Sequence, residues 1–578
     1  MKTKKLKESK PARSRAEESG GDKKARPEFW LWTLGLIGAL FAAFQIYGPA
    51  LDGPFLFDDS YLPMNVPAWA NSTFLESFRG LRPILMASYW VNQHTGTGTS
   101  QYHQWNVLFH FLNALFVYFL AKKLIAKAGG DERLALFAGG LFLTHPLATE
   151  AVAYIAGRSD SLSAVFLFGA LTLFLYRRSA EIGWVEALGV LALFGCAMLT
   201  KEHTVVLPAV LALTDYFWNP GFTFEGIRRN WRLYGPMVAG GAIGAVAVLR
   251  VVGGSATAGF GMKDVTWWQY LLTQFRVFYV YLKLFLFPAG QTIDYNFPFS
   301  REILDPLALL GLIGILALSA AAWRFRRRYP LACYGFFLFV ILLAPTSSVV
   351  PIKDPIAERR VYLPMIGLLL MLVDGIGRLP LKRTALAAPL GVVLLVAGAL
   401  TYRRNIAWSG AIPLWEDTVK KSPRKARAHF QLAMAYYGAN RCQEAEERFQ
   451  TVAQLEKPDY HLLLDWALAD FCLNRNDEAL KKLYQAAALE KTAHVYSQIA
   501  MVHARTGNIT QAFQDLAEAE KIDPNFETTY VYRGQLLANA NDLAGAERQY
   551  ERALAINPRN EQAIEALRLA QMHHRAPR

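Results

Sequence analysis

The chain has 578 residues, a net charge of +14 and 53% hydrophobic residues, and its mean hydropathy is +0.16. This composition is too apolar for an ordinary soluble protein, and the length predicts several domains or one large membrane domain with others. Lysines and arginines form short clusters between apolar runs, as the positive-inside rule describes for polytopic membrane proteins. No basic stripe with interleaved aromatic residues occurs, so we predict no nucleic-acid partner.

Residues 1–28 are mostly polar and basic and predict a disordered cytoplasmic tail. The apolar run that follows has the length of a membrane span and no small-residue cleavage site, so we interpret it as a retained helix. Similar runs predict a polytopic domain over 29–405 with about eleven spans. The predicted spans are 29–50, 104–121, 133–146, 160–176, 184–200, 203–218, 233–252, 305–323, 331–350, 361–377 and 385–402.

The segment 267–288 differs from these runs because Arg276 and Lys283 lie among its aromatic residues. It predicts an interfacial or re-entrant helix. With a cytoplasmic tail, about eleven spans place the C-terminus on the outer side. The unusual loop charges then gather at the outer face, at span ends, which argues against an ion pump or a midplane transporter.

From residue 406 to 578 the sequence predicts a soluble helical solenoid. Ala445, Ala479, Ala512 and Ala546 recur at intervals of 34, 33 and 34 residues, which is the tetratricopeptide period. The concave surface of such an array favours binding of a polypeptide, and a purely structural scaffold is the alternative. The predicted units are a half-unit at 409–423, repeats at about 426–459, 460–492, 493–526 and 527–560, and a capping helix at 561–574.

A series of motifs recurs in the order of one known family. The chain contains FDD, LRPILMASYWVNQH, LTHPLATEAVAYIAGRSDSLSA, LTKEHTVVLPAVLALTDYF and AERRVYLPMIGL, followed by AIPLWEDTVKKSPRKARAHFQLAMAYY. In motif order and architecture it resembles the transmembrane-and-tetratricopeptide protein O-mannosyltransferases over nearly the whole chain from residue 29. The resemblance implies the C fold of glycosyltransferases, in which a polytopic membrane enzyme uses a sugar carried on polyprenyl phosphate at the non-cytoplasmic side.

The implied partners are membrane lipids, the polyprenyl-phosphate sugar and an acceptor polypeptide in the solenoid. The expected location is a bacterial inner membrane with a periplasmic solenoid, or an endoplasmic reticulum membrane with a lumenal solenoid. The expected reaction moves a sugar, by the resemblance mannose, to Ser or Thr hydroxyls. One carboxylate base without a covalent intermediate implies inversion at the anomeric carbon.

Glycosyl transfer to a hydroxyl needs a base, and Asp58 or Asp59 in the first outer loop suits this role. The local alternative is a turn and helix cap. Transfer also needs cations for the departing phosphate. Lys201 and Arg359 are the first candidates, with Arg360, Arg158 and Arg82 behind them; the alternatives are an ion pair for Lys201 and interfacial anchoring for the Arg359–Arg360 pair.

Other polar residues of the outer loops are candidates for orienting the acceptor or the sugar, or for holding the fold together. They are His145, Glu150, Asp160, Glu202 and His203. Their spacing does not support a metal site, so no metal or cofactor is predicted, although a divalent cation stays open.

In the repeat numbering, Cys442 begins the second helix of one repeat and Cys472 ends the first helix of the next. An oxidising compartment permits a disulfide between them, and two separate buried thiols are the alternative. For the whole protein, the alternatives to an enzyme are a membrane-anchored receptor that displays the repeats and a transporter of lipid-linked sugars.

Overall fold

The computed structural model describes residues 25–575 except 66–68, 70–71, 97, 253–258 and 263. The described chain is all-α, without β-strands. Most of the tail predicted at 1–28 lies outside the described residues, but the first helix already begins at Ala25. The N-terminal part contains α1 Ala25–Tyr47, α2 Pro83–Thr95, α3 Ser100–Lys127, α4 Leu134–Thr144, α5 Thr149–Ala153, α6 Arg158–Leu175, α7 Trp184–Met198, α8 Leu207–Trp218, α9 Glu225–Arg229, α10 Trp231–Val252, α11 Trp267–Leu286, α12 Pro306–Phe325, α13 Pro330–Leu343, α14 Met365–Gly377 and α15 Arg383–Ala407.

Five helices in this part of the described chain are long and apolar enough to cross a membrane. The count is six if the bent pair Leu134–Thr144 and Pro146–Ala153 forms one span. The five are Phe29–Ala50, Ser100–Lys127, Arg158–Leu175, Pro306–Phe325 and Thr384–Ala407. Shorter apolar helices include α7, α13 and α14. These helices support a polytopic domain, and the total of about eleven spans stays a prediction.

Several of the long helices turn apolar side chains away from the protein. Phe29 is 65% exposed, Leu310 66% and Leu395 75%. An apolar helix surface without a protein partner is compatible with the hydrocarbon of a bilayer, because the backbone hydrogen bonds are already made within the helix. The polar interior lies instead between α3, α6 and the outer loops, where buried Asn, His and Arg side chains are concentrated.

The segment predicted to be interfacial or re-entrant is one continuous helix, α11, which packs along α12. The segment is therefore helical, and its interfacial or re-entrant position stays a prediction. The side chain of Arg276 reaches out of the helix, and its Nη1 donates to the carbonyl of Pro298 at 3.2 Å and to Ser300 Oγ at 3.1 Å.

Helices α13 and α14 approach at a pair of glycines. A Cβ added to Gly335 or to Gly367 would collide with the carbonyl oxygen of the other. This close packing places the loop between the two helices, which carries Arg359, against the protein rather than in solvent. Val361 and Tyr362 at the end of that loop are buried.

The C-terminal part is a solenoid of antiparallel helix pairs. Its helices are α16 Ala411–Lys421, α17 Ala426–Gly438, α18 Cys442–Leu455, α19 Tyr460–Cys472, α20 Asn476–Leu489, α21 Ala493–Arg505, α22 Ile509–Ile522, α23 Glu527–Asn539, α24 Leu543–Ile556 and α25 Glu561–Arg575. The alanines that define the period, Ala445, Ala479, Ala512 and Ala546, are all fully buried. Small residues at these positions let each helix of a pair pack closely on the next.

A disulfide joins Cys442 at the start of α18 to Cys472 at the end of α19, with their Cα atoms 6.1 Å apart. Cys196 and Cys333 are free.

The solenoid begins directly on the outer loops of the membrane domain. Leu56, Tyr154, Trp408 and Trp415 belong to one buried apolar cluster that also contains residues of α17. The Lys421 ammonium donates to the carbonyl of Gln291 at 2.7 Å. The first solenoid helices and the outer loops therefore share a core.

Candidate active site

The first outer loop forms a short 3-10 helix, Phe57–Tyr61, that contains both predicted aspartates. The Asp59 side chain is buried and turns inward. Its two oxygens accept hydrogen bonds from the backbone N–H of Leu56 at 3.0 Å and from that of Ala156 at 2.7 Å. Asp59 thus ties the loop to the segment that precedes α6.

Burial raises the pKa of Asp59 to about 7. The hydrogen bonds from the Leu56 and Ala156 N–H groups oppose this shift, because they favour the ionised form, and the neighbouring Asp58 adds to it. A proton therefore resides on Asp59 much more readily than on an ordinary aspartate.

Asp58 is in a different environment, although it is the preceding residue. It is half-buried, and within the described residues its carboxylate has no hydrogen-bond or ion-pair partner. Its backbone N–H donates to the Tyr154 hydroxyl at 2.7 Å. The Asp58 carboxylate is therefore available to a ligand.

Tyr154 connects Asp58 to the cationic side of the site. The guanidinium carbon of Arg359 lies 6.0 Å from the centre of the Tyr154 ring. Arg359 forms an ion pair with Glu150, and its backbone N–H donates to the same carboxylate at 3.2 Å. Asp58 and Asp160 also act electrostatically on Arg359.

Lys201 forms the second cationic group, because its ammonium contacts Asp160 at 2.6 Å. The pKa of Lys201 is lowered to about 8, chiefly by burial and to a smaller extent by the nearby Arg82 and Arg359, whereas Asp160 opposes the shift. Each cation is paired with one carboxylate but has further N–H donors. Lys201 is thus in an ion pair, as the alternative interpretation expected, and its partner is Asp160.

Two buried polar atoms beside Lys201 lack a partner in the described part of the chain. They are Asp160 Oδ2 and His203 Nδ1. Burial, and then Lys201, lower the pKa of His203 to about 4, so that its ring is neutral at pH 7. Both atoms are therefore able to form a hydrogen bond with a ligand.

Arg82 and Glu202 pair with each other at the margin of this group. Two guanidinium nitrogens donate to the two carboxylate oxygens at 2.8 Å each, and both side chains are more than a third exposed. The pair joins the start of α2 to the loop after α7, which favours an orienting function for both residues.

The structure does not bring Arg158 to the two cations. Its side chain is fully buried and points between α2 and α3. It donates to Asn106 Oδ1 at 2.8 Å and to the carbonyl of Tyr102 at 2.9 Å, and it lies 4.6 Å from the Tyr89 ring centre. With its donors used in this way, Arg158 holds three elements together, and the prediction that it contacts the donor phosphate has no support in its position.

Arg360 and His145 are also directed to backbone groups. Arg360 donates to the carbonyls of Asp354 at 2.7 Å and Pro355 at 3.0 Å. His145 Nδ1 accepts from the N–H of Leu147 at 3.1 Å, so its Nε2 donates to the carbonyl of Phe285 at 2.9 Å. The roles predicted for them, donor binding and substrate orientation, are replaced in this arrangement by loop fixation.

Two further residues of this region, Tyr154 and Glu358, are not indicated as site residues by the sequence alone. Glu358 is buried and accepts from the Thr292 N–H at 2.8 Å and the Tyr295 hydroxyl at 2.6 Å. It directly precedes Arg359 in the motif AERRVYLP, and this adjacency is the feature of the sequence that could have indicated it. Tyr154 lies within LTHPLATEAVAYIAGRSDSLSA, but nothing in the sequence indicates that its hydroxyl receives the Asp58 N–H.

Among the described residues, no group of three or more His, Cys, Asp or Glu side chains is arranged to hold a metal ion. The Tyr154 hydroxyl holds the backbone of Asp58, whose carboxylate is accessible, and the Tyr154 ring lies near Arg359. Lys201 and Arg359 both act electrostatically on Asp160 and keep further N–H donors. Such an arrangement can accept a proton and stabilise a departing phosphate at neighbouring points.

The fold and the site together define a helical membrane protein with a tetratricopeptide solenoid docked on the loops that carry the site. A family model described as "Tetratricopeptide repeat" matches residues 493–526. Curated relatives similar over most of the chain are named protein O-mannosyl-transferases. Human TMTC3 is 21% identical, covering 84% of this chain and 58% of the relative. Human TMTC1 is 25% identical, covering 71% of this chain and 54% of the relative. F38B6.6 of Caenorhabditis elegans is 24% identical, covering 72% of this chain and 61% of the relative.

These relatives confirm the resemblance to the transmembrane-and-tetratricopeptide mannosyltransferases. The chain spans about 60% of the length of F38B6.6 and of human TMTC3. Solved structures of tetratricopeptide proteins match only locally. The structure titled "Crystal structure of YrrB: a TPR protein with an unusual peptide-binding site" is 18% identical with a TM-score of 0.23, covering 31% of this chain and 89% of that one.

Proposed function

We propose that the protein is an inverting glycosyltransferase that moves a sugar from a polyprenyl-phosphate carrier to Ser or Thr hydroxyls of polypeptides. The observation that carries the proposal is the shared contact at Tyr154. Its hydroxyl accepts the Asp58 N–H at 2.7 Å, and its ring faces Arg359. Tyr154 thereby contacts both the residue that carries the free carboxylate and a cation.

In the proposed reaction, the acceptor hydroxyl oxygen attacks the anomeric carbon while Asp58 takes the hydroxyl proton. The bond between the anomeric carbon and the phosphate oxygen breaks, and the electron pair stays on the phosphate. Lys201 and Arg359 stabilise this leaving group through the donors that Asp160 and Glu150 leave free. A single displacement inverts the anomeric configuration. Asp59 keeps the loop in place instead of serving as the base.

The sugar is proposed to bind at Asp160 and His203. Asp160 Oδ2 accepts hydrogen bonds, and His203 Nδ1 accepts or donates one according to its tautomer. Both atoms are buried and unpartnered in the described chain, and sugar hydroxyls are suitable partners. The names of the relatives favour mannose as the sugar.

The solenoid is proposed to bind the acceptor polypeptide, because concave tetratricopeptide surfaces generally bind peptides. Its docking on the outer loops places it on the same face as Asp58 and Arg359. The site then lies at the non-cytoplasmic surface, in a bacterial periplasm or a eukaryotic lumen. No cofactor is proposed, and the lipid-linked sugar itself is the donor substrate.

The test is transfer of labelled mannose from a short-chain polyprenyl-phosphate donor to a Ser/Thr-containing peptide by the purified full chain. Asp58→Asn is expected to lower the rate at least about a hundredfold. Glu302→Gln is the matched control, because Glu302 is an exposed outer-loop carboxylate that the proposal does not use. Transfer at the wild-type rate by Asp58→Asn would remove the assigned base, and no transfer by the wild type would favour a receptor.

A further inference from the structure

The residue directly before Asp58 has an unusual backbone conformation. Phe57 has a φ of +50°, in the left-handed region that bulky L residues rarely adopt. Such conformations cost free energy and persist where the surrounding structure enforces them. Because Phe57 starts the 3-10 helix, its backbone sets the direction in which Asp58 leaves the loop.

The surroundings that hold Phe57 belong to the solenoid. Its ring packs edge-on against Trp415 of α16, with 5.5 Å between ring centres. The guanidinium carbon of Arg427 in α17 lies 5.3 Å from the centre of the same ring. A cation over an aromatic face is attractive, more so when it is partly shielded from water. The first solenoid helices therefore contact the loop of the proposed base directly.

Arg427 also holds two other outer loops. It donates to both carboxylate oxygens of Asp294 at 2.7 Å each and to Asp354 Oδ1 at 2.7 Å. Its side chain is only 25% exposed, and that of Asp294 is 1% exposed. One guanidinium thus joins three loops through a fork that a lysine cannot reproduce.

Both acidic partners lead to Arg359. Asp354 lies five residues before it, and the Asp354 carbonyl accepts from Arg360 at 2.7 Å. Asp294 lies in a segment whose Thr292 N–H and Tyr295 hydroxyl bind Glu358, the residue before Arg359. Arg427 consequently fixes the position of the loop that carries Asp58 relative to the segment that carries Arg359.

We propose that Arg427 is a positioning residue for sugar transfer, which aligns Asp58 with Arg359 by holding Phe57, Asp294 and Asp354. This inference rests on the proposed function. It means that the membrane domain is catalytically complete only while α16 and α17 are docked on it. The start of the solenoid then acts in the chemistry as well as in acceptor binding.

The first test measures backbone hydrogen exchange in full-length protein with Arg427→Met, which keeps an unbranched side chain but removes the charge and the fork. Exchange is expected to accelerate at least about tenfold in 55–62 and 351–360. Arg533→Met is the matched control, because Arg533 also sits in the first helix of a repeat and pairs with Glu520 at 2.7 Å, remote in sequence from these contacts. Unchanged exchange in both segments would overturn the proposal.

The second test measures kcat and KM with a short Ser/Thr peptide, normalised to folded protein. Arg427→Met is expected to lower kcat at least tenfold with peptide KM unchanged, and Arg427→Lys is expected to recover part of the loss. The double variant Asp58→Asn/Arg427→Met should be no slower than Asp58→Asn alone, because Arg427 acts through the base. An effect of Arg427 that does not act through Asp58 would instead multiply the two losses.

The outcomes distinguish the positioning role of Arg427 from the proposed sugar transfer. An active wild type with an equally active Arg427→Met variant overturns the positioning role alone. A wild type that transfers no sugar overturns the proposed function and this role with it. Multiplied effects in the double variant also overturn the positioning role, since they show that Arg427 and Asp58 act independently.

Discussion

The Asp59 carboxylate accepts a hydrogen bond from the Ala156 N–H at 2.7 Å, 97 residues further along the chain. This contact ties the first outer loop to the turn before α6. Asp58 has no comparable side-chain partner in the described residues, and only its backbone N–H is held, by Tyr154. Two adjacent acids that the sequence could not distinguish are thus placed in different environments.

The two aspartates should therefore respond differently to the same substitution. Asp58→Asn is expected to lower the transfer rate at least about a hundredfold and to leave thermal stability unchanged. Asp59→Asn is expected to destabilise the protein by about 1–3 kcal/mol, because the new amide cannot accept both buried N–H groups. Thermal unfolding and transfer rates of the two purified variants check this. Equal loss of activity at equal stability would contradict the assignment.

Lys201 predicts a pH dependence of donor binding. Its pKa is lowered to about 8, so the ammonium is charged below that pH and neutral above it. The KM for the polyprenyl-phosphate donor is expected to rise as the pH increases through about 8. Lys201→Arg should remove this rise, because a guanidinium stays protonated in that range. A donor KM that is flat from pH 7 to 9 in the wild type would exclude Lys201 as a titrating phosphate ligand.

The disulfide can be tested with thiol chemistry. Denatured but unreduced protein should show two reactive thiols, from Cys196 and Cys333, and reduced protein should show four. In the chain-entropy description, a bond that closes a sequence separation of 30 stabilises by about 3.6 kcal/mol. Cys442→Ser should therefore lower the unfolding temperature of the solenoid, and the reductant should no longer affect it. Four thiols before reduction would exclude the bond.

The side of the membrane that the solenoid occupies is a separate prediction. About eleven spans with a cytoplasmic N-terminus place residue 578 outside. A reporter that is active only outside the cytoplasm, fused after the last residue, should therefore be active, whereas a reporter fused at Met1 should be inactive. A cytoplasmic signal at the C-terminal fusion would contradict both the span count and the outer location of the site.

Sequence alone was sufficient for the parts of this protein that repeat or follow a local rule. Apolar runs indicated the membrane helices because lipid demands apolar side chains over a defined length. The 34-residue alanine period indicated the solenoid because each helix crossing needs a small residue at the same place. Motif order indicated the family, which relatives over most of the chain confirmed, and pointed to the outer loops as the place to look for the site.

Tertiary structure decided which of those loop residues keep free donors or acceptors and which hold the fold. Arg158 and Lys201 are both basic residues near span ends, yet Arg158 is enclosed by carbonyl and amide oxygens while Lys201 meets Asp160. Arg427 has no distinguishing feature in the sequence of the solenoid, yet in the structure it contacts Phe57, Asp294 and Asp354. Such differences depend on contacts between residues far apart in the chain, and burial and hydrogen bonding arise only once those segments pack together.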